Sequence, residues 1–143
     1  MKKQQQGFTL VELVMVIVIL GILAATALPK FASLQGNARF SSLSGALGAV
    51  RSASNIAHAQ ALVNSIASGN ITLEGAAIAV TEGYPTSASI ISAAGISPDD
   101  YTIATLATVS TFTLGTCSFT YTTAATSASP AITDITGDTA GAC

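Results

Sequence analysis

At 143 residues the chain has room for one domain plus an appendage. Only 8% of its residues are charged while 50% are apolar, against roughly 25% charged in ordinary soluble proteins, and this is the reverse of a disordered composition. Five bases against seven acids give a formal charge of −2, and without a basic patch no nucleic-acid partner is indicated.

The chain opens with MKKQQQG, two lysines followed by neutral residues. A basic leader ahead of an apolar run is the layout of an export signal. Between residues 8 and 28 the only charge is Glu12. At about 1.5 Å rise per residue a helix of this length spans roughly the 30 Å hydrocarbon core of a bilayer. An ionised Glu12 there costs on the order of 2.5 to 3.5 kcal/mol even on lenient insertion scales, so it needs a partner. Two cleavage readings compete. A secretory cut would fall after the A-T-A box at 25–27. A cut between Gly7 and Phe8 would instead keep the apolar segment and create a cationic amine on Phe8, four residues from Glu12. In a staggered bundle of parallel helices, the amine of one copy can then meet the carboxylate of another, so that each buried charge is paired. The plainer alternative is an anchor helix whose Glu12 snorkels to the headgroups.

Beyond Pro29, the residues Phe31, Leu34, Ala38, Leu43, Leu47, Val50, Ser54, Ala57 and Ala61 mark one apolar stripe, an amphipathic continuation of the helix. A helix over 8–68, capped near Gly69, would be about 90 Å long. A globule of about 100 residues has a radius of gyration near 13 Å, so the first half must protrude. Pro29 lacks the N–H that would bond to Ala25, which predicts a kink or loosening there, and Gly21 weakens the same stretch. All three bases left by the Gly7 cut, Lys30, Arg39 and Arg51, lie on this spine, while six of the seven acids follow residue 70. That asymmetry predicts pairing between the head of one copy and the spine of another.

Residues 71–100 carry mixed signals, with turn chemistry at 81–85 and a short helix over 87–94 ended by Gly95. Over 101–114 the alternation changes phase near 104–107, the mark of a bulge or two short strands. Cys117, Phe119 and Tyr121 alternate with polar neighbours as a half-buried strand. Residues 124–143 are too poor in apolar side chains to hold themselves down. Cys117 and Cys143 are the only cysteines, and an even count in an exported chain reads as a disulfide. Bridging them closes a loop of about 27 residues, worth about 3.5 kcal/mol on the chain-entropy estimate.

No catalytic constellation is visible. His58 is the only histidine, beside the apolar stripe and without ligands at metal spacing, and reads as a packed or surface residue. Neither the Asp99 and Asp100 pair nor Asp134 with Asp138 forms a calcium loop. No enzyme, metal or cofactor is expected.

The segment GFTLVE at 7–12, followed by the long apolar run, resembles the prepilin signature of type IV pilins. The resemblance implies cleavage by a prepilin peptidase between Gly7 and Phe8, N-methylation of Phe8, and a role for Glu12 in assembly. It also implies melting of the helix between Gly21 and Pro29 in filaments, and a C-terminal loop closed by Cys117 and Cys143. The run after Val14, with Lys30, Phe31, Leu34, Gln35, Ala38 and Arg39, and the G-Y-P at 83–85, are most similar to MSHA-type (mannose-sensitive haemagglutinin) major pilins. The implied fold is α+β, a long spine helix packed on a small antiparallel sheet. Its parts are a leader at 1–7, a membrane and filament-core helix at 8–29, and a head at 30–143 with a connector at 71–100 and a sheet and disulfide loop at 101–143. The implied function is a homopolymeric surface filament for attachment. The implied partners are the pilus assembly machinery and a surface glycan receptor. The precursor would sit in the inner membrane of a Gram-negative bacterium, the filament outside the cell. Pseudopilins of type II secretion share the leader and are the close alternative; an exported, membrane-anchored binding domain is the third.

Overall fold

The computed structural model describes residues 8–126, 128–137 and 143; Gly7 and Asp138 lie outside the described residues. One element dominates. Helix α1 runs over Leu10–Val63, 54 residues unbroken through Pro29, about 80 Å at the standard rise. Its first turn is closed by a capping box between Thr9 and Glu12. Its last turn closes differently from expectation. Asn64 is the C-cap, Ser65 turns into the left-handed region at φ 54°, and the amide of Ile66 donates to the carbonyl of Ala61 at 2.9 Å while that of Ser65 donates to Leu62 at 3.0 Å. This is a Schellman closure, with Ile66 packed back on the helix. Gly69, expected as the cap, instead opens the first strand.

Two antiparallel sheets lie against the distal part of α1. The first orders β1 (Gly69–Leu73), β2 (Ala76–Thr81) and β3 (Tyr84–Pro85). Both of its turns are Glu-Gly pairs with positive φ, 49° and 84° at Glu74 and Gly75 and 53° and 78° at Glu82 and Gly83, the geometry that matches strand twist in a two-residue hairpin. This sheet occupies what reads in the sequence as a connector. Helix α2 (Ser89–Ala93) follows, and Gly95 just beyond it has φ 62°.

The second sheet orders β4 (Thr102–Thr105), β5 (Val109–Leu114), β6 (Cys117–Thr122) and β7 (Ala131–Ile132). The phase change expected near 104–107 is thus a break between two strands. On β6 the alternation is clean, with Cys117, Phe119 and Tyr121 buried. The segment expected to be loose is held by main-chain bonds as well. Strand β7 pairs with β6, the Thr133 amide donates to the Thr120 carbonyl at 3.0 Å, and Ser118 and Thr136 exchange a pair of bonds. Backbone pairing needs no apolar side chains, which is why composition underestimated this tail.

The stripe on α1 buries as expected from Leu43 onward. Leu43, Leu47 and Val50 meet Phe112, Phe119, Tyr121 and Ile90 in the main core, where the rings of Phe112 and Phe119 stack 4.7 Å apart. Farther along, Ala57 and Ala61 let the first sheet come close, packing on Ile71, Ile78 and Val80. Phe31, Leu34 and Ala38 continue the stripe in phase but remain exposed, because no strand among the described residues reaches that far down the helix.

Candidate assembly site on the N-terminal helix

Among the described residues, nothing from the rest of the chain covers the apolar half of α1. Phe8 is 82% exposed, and from Leu10 to Leu23 each large apolar side chain keeps at least 44% of its surface open. At about 25 cal/mol per Å² of apolar surface, such a face is stable only when lipid or other helices cover it. Gly21 has open space around it, so nothing among the described residues demands a glycine there. Pro29 lies inside the continuous helix.

Glu12 is the polar centre of this surface. Its Oε2 accepts from the Thr9 amide at 3.0 Å and from the Thr9 hydroxyl at 2.8 Å, and its own amide donates to Thr9 Oγ1 at 3.3 Å. The carboxylate therefore satisfies two donors of the helix start, while Oε1 has no hydrogen bond among the described residues. The T-x-x-E pattern of a capping box is legible at 9–12 in the sequence itself. Capping engages one oxygen and leaves a full negative charge in an apolar face, so the demand for a cation persists.

The spine bases do not wait for another copy as expected. Arg51 Nη2 meets Asp134 Oδ1 of its own head at 2.6 Å. Arg39 Nη1 donates to the Cys143 carbonyl at 2.9 Å. Among the described residues only Lys30 of the three keeps no such contact. The pairing of Cys117 with Cys143 is present, with Cα atoms 5.1 Å apart. His58 stacks on Tyr84, rings 3.9 Å apart, and no group of three or more His, Cys, Asp or Glu able to hold a metal occurs among the described residues.

One comparison with known proteins falls on this same element. A family profile described as the prokaryotic N-terminal methylation motif matches residues 2–28. The type IV narrow pilus major component PilA5 of Thermus thermophilus is 50% identical over 56 residues, 39% of this chain and 48% of that one. Over part of its length this chain is similar to a type IV pilin. The pilin likeness extends to the type IV major fimbrial protein FimA of Dichelobacter nodosus, 42% identical over 53 residues, 37% of this chain and 34% of that one. The type II secretion system core protein G of Pseudomonas aeruginosa is likewise 42% identical over 52 residues, 36% of this chain and 37% of its own length. The pilin-like match thus spans about half or less of these relatives. No solved structure matches the chain.

Proposed function

We propose that the chain is the structural subunit of a type IV pilus, polymerising through its apolar helices into a surface filament for attachment. The observation that carries this reading is the uncovered helix from Phe8 with one carboxylate, Glu12, near its start. Cleavage between Gly7 and Phe8 supplies the missing cation, and N-methylation of that amine keeps its charge. The prepilin peptidase and the pilus assembly machinery act on a precursor held in the inner membrane of a Gram-negative cell, and the product is an extracellular fimbrium of the MSHA type with a surface glycan among its partners. Gly21 and Pro29 bound the stretch that loosens on assembly, because Pro29 removes one helix bond and Gly21 weakens its neighbours. The head does no chemistry in this reading.

The match to a secretion-system core protein favours a second reading, a periplasmic pseudopilus subunit. Two measurements decide. Intact-mass analysis of the mature chain is expected to show a methylated start at Phe8, and a start at Leu28 rules out both filament readings. Electron microscopy of sheared surface material is expected to show thin filaments of this chain, and their absence beside a functioning secretion system selects the pseudopilin.

A further inference from the structure

At the distal end of the head the last turns of α1 meet the tight turn between β2 and β3. Tyr84 lies parallel to His58, with ring centroids 3.9 Å apart and 2° between planes. His58 Nδ1 sits 3.0 Å from the Gly83 carbonyl oxygen, which can only accept, so Nδ1 carries the proton and Nε2 is the acceptor of the neutral ring. One face of Tyr84 is therefore covered, and its remaining half-exposed surface is the other face and the edge. Its hydroxyl is held by Ser129 Oγ at 3.2 Å.

Tyr84 and Ser129 form the shared wall of two adjoining hollows. The larger, about 500 Å³, runs along His58, Leu62, Ile66 and Glu82. The smaller, about 190 Å³, is lined by Arg51, Asn55, Pro130 and Ile132 as well as by Ser54. Ser54 is 2% exposed and lies beside the Tyr121 phenol.

The chemistry of the cleft narrows what fits. Arg51 is already matched by Asp134, which removes most of the pull on an anion. In the smaller hollow what remains is neutral hydrogen-bonding capacity on Asn55 and Ser129, set against the apolar surfaces of Tyr84, Pro130 and Ile132, while the larger adds Leu62 and the Glu82 carboxylate, an acceptor for hydroxyl donors. Ligand sites combine apolar walls with a few placed polar groups in this way. A pyranose ring, with C–H bonds on its faces and hydroxyls round its edge, has the complementary surface, and a half-exposed tyrosine suits such an amphipathic partner. We propose that this cleft binds a pyranose unit of a surface glycan, with Tyr84 as the stacking platform. The inference rests on the attachment reading above and gives it a site.

The test uses the full chain in detergent micelles, titrated by NMR with the methyl glycosides of glucose, galactose, mannose and N-acetylglucosamine. At least one is expected to saturate in the millimolar range with shifts on the Tyr84 and His58 rings. Tyr84→Ala and Asn55→Trp are each expected to weaken it by at least about tenfold. Asn55 is exposed on α1, so the tryptophan fills the cleft without touching the core and decides the matter even if Tyr84→Ala loosens the hairpin. No saturation by any of these glycosides at tens of millimolar, or binding unchanged in Asn55→Trp, overturns the site. Piliation of wild-type cells is scored separately: filaments without glycoside binding sink the cleft and leave the pilin reading standing, and binding without filaments does the reverse.

Discussion

The Arg39 guanidinium donates to the carbonyl oxygen of Cys143 at 2.9 Å, so the residue that closes the disulfide also ties the far end of the chain to the spine helix. Two constraints of different kind, one covalent to β6 and one polar to α1, converge on a single residue that is 7% exposed. Loss of either cysteine should therefore remove the loop-closure contribution of about 3.5 kcal/mol and release Arg39 as well. Denaturant unfolding of Cys117→Ala and Cys143→Ala is expected to show a loss of at least that order and reduced accumulation of subunit. Two free thiols in native exported protein would contradict the pairing.

Gly115 is the third member of this arrangement. It has φ 68° in the turn between β5 and β6, and a Cβ there would collide with the Cys143 carbonyl and crowd Arg39. Gly115→Ala should cost more than about 1 kcal/mol from the backbone conformation alone. Combined with Arg39→Ala, the two losses should fall short of additive, since they share the Cys143 contact. Full additivity in a double-mutant cycle would sever the proposed coupling.

In the proposed filament Glu12 holds two roles that substitution can separate. Glu12→Gln keeps an acceptor for the Thr9 donors and so preserves the capping box, but removes the charge. Insertion of the monomer should become easier by up to a few kcal/mol. Filament assembly should fail, because a neighbour's amine left buried and unpaired costs about 3 to 5 kcal/mol. Electron microscopy of sheared surface material reads the outcome, and normal piliation by Glu12→Gln would reduce the residue to a helix cap.

Tyr121 makes the head sensitive to alkali. Its hydroxyl donates to the Pro85 carbonyl at 2.7 Å, and burial pushes the phenol up to about 12, against a smaller opposing pull from Ser54. The unfolded phenol titrates near 10. The folded state therefore holds its proton longer, so this contribution is complete below about pH 10 and is lost progressively between about 10 and 12, on the order of 2 to 3 kcal/mol. Denaturant midpoints followed by circular dichroism across that window should fall, and Tyr121→Phe, though less stable at neutral pH, should show a shallower fall. Equal slopes in the two proteins would refute the assignment.

The Arg51 to Asp134 pair is short but open, with side chains 49% and 89% exposed, and exposed pairs contribute about 0 to 1 kcal/mol. Arg51→Ala should shift head stability by no more than that. A larger loss that vanished at high salt would mean the arginine serves a contact beyond its own head.

Residue order alone determined the spine. A long apolar run with one charge, then a three-and-four stripe from Leu43 to Ala61, are each read as helix from residues a turn apart, so both signals are local in the chain. The strand at 117–121 was legible for the same reason, as was the short helix before Gly95, while the cysteine pairing was legible because Cys117 and Cys143 are the only two. The first sheet was not, although each of its turns carries a Glu-Gly pair, because strands as short as β3 gain their stability from the α1 face they cover rather than from their own side chains. The hold on residues 128–137 was also invisible, since main-chain pairing with β6 leaves no mark in composition. Where the stripe stops being buried, which base meets which acid, and the meeting of Arg39 with Cys143 across 104 positions were decided only by the tertiary structure. These depend on the distance between elements once packed, and a sequence pattern with period 3.6 carries no information about where along the helix the sheets end.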